Sequence, residues 1–403
     1  MVRLAFQRGR CNRRRALVAV QVGIVLIVLL GFAALTVDVG TLYNTRNDLQ
    51  RTADAAALAG ASMYTTDAMM QIRQGTAGSD SLATLLGQVG VRVHQYAGMN
   101  GTFGTTAATQ VADGDIATGW LDLHSATATI QAPVAPDDYN AVRVMVRRDG
   151  GEESGNEEVR FFFAPIFGRL AGQSSASAVA VFDDRVSGVN SQGEGEGILP
   201  FTIHRDAFEQ ELNFGGDNYA YIEESNSVAS SPDGIREVRI YPYPLSGSGY
   251  EEGDGNFGML NIGTGNQGVP AERVQILNGV SPEDFEMEIG TSDLTFYDDA
   301  GGHITYDITG SPGLEATLQA AVSEKIGDVV GFFLHEHVEF SGSNAIYTIT
   351  GIRYGRIMDV RLTGSPNQRG IFIQPVSYTG GEVYIDPEAP STGGLLGRIV
   401  LAR

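Results

Sequence analysis

The chain of 403 residues holds a single cysteine, Cys11. That excludes any intrachain disulfide framework and every cysteine-based zinc site. Its 52 glycines follow no Gly-X-Y period, which excludes a collagen-like chain and leaves a loop-rich, strand-rich one. Basic charge is also scarce: 27 Lys and Arg face 48 Asp and Glu, a net of −21. A chain this acidic repels phosphate backbones, so no nucleic-acid partner is expected. No Gly-x-Ser-x-Gly stands between a strand-like and a helix-like stretch; Ser246-Gly247-Ser248-Gly249 sits among Pro and Tyr and reads as loop. The glycines at 253, 255 and 258 lack the Lys-Ser/Thr of a phosphate loop. No residue presents itself as catalytic, and no cofactor is implied. Hydrophobic residues at 42% and charged residues at 19% nevertheless describe a folded chain of two or three units.

The charge that is present is unevenly placed. Residues 1–37 contain six Arg (3, 8, 10, 13, 14 and 15) and no acidic residue, leaving 21 basic against 48 acidic side chains beyond them, a net of −27. Between the two lies Ala16 to Val37, an uncharged run whose one strongly polar member is Gln21. About 20 helical residues at 1.5 Å each cross the roughly 30 Å hydrocarbon core of a bilayer. A core helix of a soluble domain rarely stays apolar all round for that length. Arg13, Arg14 and Arg15 flank one end only, and positive flanks stay in the cytoplasm. The expectation is a single pass with the N-terminus inside and residues 38–403 across the membrane. The run exceeds a signal-peptide core, and Leu35 and Val37 spoil a small-x-small cleavage pattern, so an uncleaved anchor is expected.

Beyond the span no Pro interrupts residues 38–63, and Ala is dense from Ala53 to Ala61, so the helix should continue outward. Leu42, Leu49, Ala53, Ala56 and Gly60 recur at helical spacing on one face of small side chains, open to close approach by the chain's own domain or by partner subunits.

Arg13-Arg14-Arg15, the apolar span, Val37-Asp38-Val39-Gly40, Tyr43, Leu49-Gln50 and Ala53-Asp54-Ala55-Ala56-Ala57-Leu58-Ala59-Gly60-Ala61 together resemble the N-terminal region of TadG-like proteins of the Tad machinery, which assembles Flp-type pili in bacteria. The resemblance covers residues 13–61. It implies a bacterial inner-membrane anchor with a large periplasmic region, contacts with other Tad/Flp assembly subunits and with membrane lipid, and possible homo-oligomers. Gln21 stands where many relatives carry a Glu. Cleavage between Ala16 and Leu17 would fit pilin-like spacing, with Ala in place of the usual Gly.

The expected fold is α+β and membrane-anchored. A basic segment (1–15) and a transmembrane helix (16–37) lead into a helix-plus-antiparallel-sheet domain (38–186). A Gly-Glu linker (187–197) and a mostly β domain (198–403) follow. A second helix is expected at 79–96, and strands at 141–147, 159–163 and 175–182. Past the linker, strands are expected at 236–243, 345–352, 357–362, 371–376 and 398–401, with one helix at 314–326. Thr309-Gly310-Ser311-Pro312, echoed at 363–366, reads as a turn.

Two weak metal candidates remain. Along residues 330–340, Val330, Phe332, Leu334, Val338 and Phe340 alternate onto one face, leaving His335, His337 and Glu339 on the other, where they could hold Zn²⁺ or simply be solvated. Glu251, Glu252, Asp254 and Asn256 could offer oxygens to Ca²⁺, although the EF-hand ladder is missing. Asp307-Ile308-Thr309-Gly310-Ser311 imitates an Asp-x-Ser-x-Ser metal loop without the buried strand that should precede it. The reading is a structural, non-enzymatic component of pilus assembly or a related secretion apparatus. The alternative is a tethered binding module or hydrolase acting on envelope carbohydrate or peptide.

Overall fold

The computed structural model describes residues 13–101, 113–123, 129–150, 157–191, 197–240, 257–263, 269–298, 300–312, 316–339, 345–365 and 368–402, the side chains of 13–17, 113, 269 and 312 excepted. A long apolar N-terminal helix precedes mixed helix and sheet, and the C-terminal region is mostly β. The helices are α1 (Arg13–Ala61), α2 (Asp67–Arg73), α3 (Ser81–Met99), α4 (Arg205–Phe214), α5 (Val269–Asn278), α6 (Pro282–Ile289) and α7 (Gln319–Ser323). The first strands are β1 (Ile116–Gly119), β2 (Ala141–Arg148), β3 (Val159–Arg160), β4 (Ala171–Gly172), β5 (Ser174–Asp183) and β6 (Val186–Asn190). Next come β7 (Ile198–His204), β8 (Ala220–Ile222), β9 (Ser227–Ala229), β10 (Val238–Ile240), β11 (Phe257–Leu260) and β12 (Asp293–Thr295). The last are β13 (Tyr306–Pro312), β14 (Val329–Glu339), β15 (Ala345–Arg361), β16 (Gly370–Pro375), β17 (Val383–Ile385) and β18 (Arg398–Ala402).

The chain divides into two compact units, and the division cuts through α1, α3, β1, β2 and β5. The first unit holds α1 to Ala56, α3 from Arg92, most of β2, the β3–β4 hairpin and the start of β5. The second holds everything from Val179 onward, together with residues 57–91 and 117–143.

The second unit is organised around a seven-stranded sheet of order β10-β16-β15-β13-β11-β7-β14, in which β14 also pairs with β15. The pairings therefore close a ring of β7, β11, β13, β15 and β14, and closure removes exposed strand edges. All its pairings are antiparallel except β14 with β7. Both faces of these strands are covered. Phe201, Ile203, Met259, Phe332 and Leu334 belong to one apolar cluster, while Ile198, Leu260, Phe333, Tyr347 and Ile349 belong to another. Such strands read as continuous apolar runs, as in Val329-Val330-Gly331-Phe332-Phe333-Leu334. Gly258 on β11 and Gly310 on β13 are required here: a Cβ at 258 would collide with the Tyr347 ring, and one at 310 with the Met259 carbonyl, hard against the same ring.

Several expectations change. Residues 187–190, read as linker, are the core of β6, which pairs with β12 and β17 and buries Val189 completely. Its glycine gave no sign of burial in sequence, yet Gly188 has no room for a Cβ against the backbone of Leu294 and Thr295. Residues 192–196 lie outside the described residues. β18 does not stay with the C-terminal strands. It pairs with β5, Arg398 opposite Asp183 and Ala402 opposite Val179, so strands on either side of the Gly-Glu segment share one sheet. That four-stranded sheet has the order β1-β2-β5-β18. Thr309–Pro312 is the second half of β13 rather than a turn, and the stretches 345–352 and 357–362 fuse into the single strand β15.

The C-terminal region also has more helix than its Gly-rich sequence suggested. α4 starts where the His204 ring accepts a hydrogen bond from the Asp206 N–H. α6 has Ser281 as N-cap, Asp284 three residues on, Pro282 at its first turn and Gly290 (φ 79°) as its left-handed stop, a full set of start and stop signals. The helix expected at 314–326 shrinks to a 3₁₀ turn at Ala316–Leu318 followed by α7. The strand expected from 236 is β10 alone, since residues 241–250 lie outside the described residues.

Candidate functional site: the N-terminal helix and its latch

α1 is one continuous helix of 49 residues, about 73 Å at 1.5 Å per residue. Its character changes midway. Val20, Ile27, Leu30, Phe32 and Leu35 are all more than half exposed. The described part holds one helix long and apolar enough to cross a membrane, beginning at Val18, and the apolar window is wholly uncovered by the rest of the chain. From Asp38 outward the helix enters the fold. Leu49, Ala53, Ala56, Ala57 and Ala61 are completely buried, Gly60 is buried and Leu42 is half-buried. The small-residue face is thus occupied by the chain's own residues, and a partner would meet the opposite face, where Tyr43, Arg46, Asn47 and Arg51 are exposed. Along the helix Thr36, Thr41, Thr45 and Thr52 each donate the hydroxyl to the carbonyl four residues back, which satisfies them without a partner helix.

The change of character falls at Asp38. Its carboxylate is 4% exposed, and the first unit closes around it. Oδ1 accepts from the Phe162 N–H at 2.7 Å, Oδ2 from the Ala164 N–H at 2.6 Å, and both oxygens share the Phe163 N–H at 3.2 and 3.1 Å. Three successive amides turned toward one carboxylate form a nest, and charge-assisted bonds of this kind are about twice as strong as neutral ones. Further out, Gln50 Nε2 reaches the Asp54 carboxylate at 2.7 Å and the Ser177 carbonyl at 3.2 Å. In the sequence Asp38 stands out only as the Asp just outside the span; the partner loop, 124 residues on, left no sequence signal.

The metal candidates separate. His335 is completely buried because the second face of β14 is covered too, contrary to the solvated face expected. Its Nδ1 lies 2.9 Å from the Thr202 hydroxyl, and its ring stands edge-on to His204 and Tyr347. Register shifts flank it, between Leu334 and His335 and between His335 and His337, and both His337 and Glu339 emerge into solvent. Among the described residues no group of three His, Cys, Asp or Glu is poised to hold a metal ion. His204 is engaged structurally: its Nδ1 accepts from Asp206 N, so its Nε2 donates to the Glu336 carbonyl at 3.0 Å. Glu336 itself pairs with Arg205 at 2.8 Å. Asp307, in the imitation metal loop, sits on β13 and accepts from the Thr348 hydroxyl at 2.8 Å. Glu251, Glu252, Asp254 and Asn256 lie outside the described residues. A cavity of about 420 Å³ opens beside α5 and α6, and Gln275 in its lining donates to the Ile262 carbonyl at 2.8 Å and to Asp284 at 3.2 Å.

The conspicuous feature of the described residues is therefore a bare apolar helix fastened to a folded body. Residues 18–63 match the family model described as "Putative Flp pilus-assembly TadE/G-like", the stretch that carries the apolar span, Asp38 and the Ala-rich continuation. Comparison with curated proteins and with solved structures returned no match.

Proposed function

We propose that the chain is a single-pass structural component of a Tad pilus-assembly or related secretion apparatus, set in the bacterial inner membrane by α1 with residues 1–15 in the cytoplasm. The observation that carries this reading is the change along α1: residues 18–37 present apolar side chains that no described residue covers, whereas Leu49, Ala53, Ala56, Ala57 and Ala61 are packed inside the fold. An apolar helix left bare over this length needs lipid around it. The family match over the same residues supports the pilus-assembly role, and the six Arg of the first 15 residues support the orientation. In this role the outer body offers binding surfaces rather than chemistry, and the exposed face of α1 beyond Asp38 is where neighbouring subunits would dock.

Periplasm-active reporter fusions test the topology: a fusion after residue 190 should be active and one at residue 10 inactive. Affinity purification after in-cell crosslinking at Tyr43 or Asn47 should recover other membrane subunits of the apparatus. Recovery of the chain alone, together with glycan or peptide hydrolysis by the purified protein, would overturn the structural reading in favour of a tethered hydrolase.

A further inference from the structure

Among the described residues, the β3–β4 hairpin of the first unit carries an exposed cluster of large apolar side chains. In its connection Phe162 is 67% exposed, Ile166 78%, Phe167 78% and Leu170 73%, with Phe163 at 40%. This is not a loose loop. Phe161 N donates to the Leu170 carbonyl, Ala164–Phe167 form a 3₁₀ turn, and Gly168 closes it in the left-handed conformation (φ 83°), donating to the Ala164 and Pro165 carbonyls. A built turn that holds five large apolar side chains outward displays them for a contact.

Asp38 says where the turn is displayed. The same three amides that fix the turn, those of Phe162, Phe163 and Ala164, are held by the carboxylate that directly follows the apolar run ending at Val37. Side chains on a helix lean toward its N-terminus, which here is the apolar end. The Asp38 carboxylate therefore reaches back toward the span and holds the turn at the level of the last apolar residues of α1. Arg160 and Arg169 flank the turn and are both exposed, and no acidic residue occurs from Val159 to Phe182. Apolar and aromatic tips rimmed by Arg fit a bilayer interface, where rings sit at headgroup depth and guanidinium groups meet lipid phosphates.

We propose that residues 162–170 are a second membrane contact: a monotopic turn that dips into the outer face of the bilayer beside the point where α1 emerges. The Phe and Ile side chains enter the acyl boundary, and Arg160 and Arg169 sit against anionic headgroups. Two attachments joined through Asp38 fix the tilt and rotation of the helix against the first unit, which one helix alone leaves free. The inference rests on α1 spanning the membrane.

The test uses the full chain with Cys11→Ser, single cysteines labelled with an environment-sensitive fluorophore, and nanodiscs of phosphatidylethanolamine and phosphatidylglycerol with or without doxyl lipid. Leu26→Cys calibrates the span. Arg51→Cys, 81% exposed and 13 residues or about 20 Å beyond Asp38, calibrates water. Labels at Ile166→Cys and Phe167→Cys replace exposed side chains and leave the fold intact. The expected result is a blue-shifted emission at both, with doxyl quenching at least about threefold that at residue 51, for a turn at the acyl boundary. Quenching at 166 and 167 below that margin overturns the proposal while Leu26 quenching keeps the span. A blue shift without doxyl quenching places the turn against protein, a second copy of the chain, and also overturns the proposal. Absence of quenching at Leu26 overturns the spanning reading itself.

Discussion

Replacing Asp38 by Ala isolates the latch between the helix and the β3–β4 turn. The carboxylate is buried and is the acceptor for three backbone N–H groups, at 2.6, 2.7 and 3.1 Å. A hydrogen bond to a charged group contributes about 1.5–3 kcal/mol, and a buried donor left unpaired costs about 1–3 kcal/mol. The three bonds are not additive, because the turn can open and let water in. A local loss of about 3 kcal/mol is therefore expected in Asp38→Ala. At about 1.4 kcal/mol per tenfold, that is roughly a hundredfold faster exchange of the amides it holds. Asp38→Asn keeps one acceptor oxygen without the charge and should fall between, near 1–2 kcal/mol. Hydrogen exchange read by mass spectrometry on the full chain in nanodiscs resolves a peptide over residues 159–171. Peptides from β14 and β15 serve as the internal standard. Unchanged exchange in the 159–171 peptide of Asp38→Ala would refute the latch, and equal acceleration throughout would reduce Asp38 to a general stability residue.

Other consequences are more local. Ala56→Leu should cost about 1–3 kcal/mol through overpacking of a fully buried site, seen as a lowered melting temperature, whereas Asn47→Leu on the exposed face should leave it unchanged. Gly258→Ala drives a methyl into the Tyr347 ring and should cost about 2 kcal/mol or more in denaturant titrations; a neutral outcome would contradict the close approach. The Tyr347 hydroxyl is buried with no hydrogen-bond partner among the described residues, and burial raises its pKa from 10 to about 12. The unfolded chain therefore releases this proton first as pH climbs, so stability should fall between pH 10 and about 12, by up to about 2.7 kcal/mol. Tyr347→Phe should be more stable by about 1 kcal/mol at neutral pH and should flatten that alkaline decline. Reversing Arg13, Arg14 and Arg15 to Glu should lower the activity of a periplasmic reporter fused after residue 190, as misoriented chains accumulate.

What could be seen in advance was whatever repeats locally. The span and the Ala-rich continuation of α1 are long, regular and uninterrupted, so composition and period suffice. Helix α3 and strands β2 and β5 followed from side-chain period within three residues, with Val142, Val144 and Val146 all completely buried. Closure of the ring of strands was hidden, because alternation assumes one solvated face and β14 is covered on both through His335; His335 was misjudged for the same reason. The Gly-Glu stretch looked like linker because glycine has no side chain to advertise burial, although Gly188 is crowded by its neighbours. Short helices such as α6 carry their information in caps rather than in period. The Asp38 nest joins residues far apart in sequence, and a single Asp after an apolar run does not name the amides it will hold.

The pairing of β18 with β5 also sets an order in time. In the proposed topology, a chain exported as it is synthesised delivers Val179–Asp183 long before Arg398–Ala402, the segment that covers that edge. Until then β5 offers an open row of backbone donors and acceptors beside a growing, glycine-rich chain, the condition under which strands pair wrongly or recruit a neighbour. The last strand thus acts as a fastener, and a tag or truncation that disturbs residues 398–402 would be felt more than two hundred residues upstream, as protease sensitivity around β5.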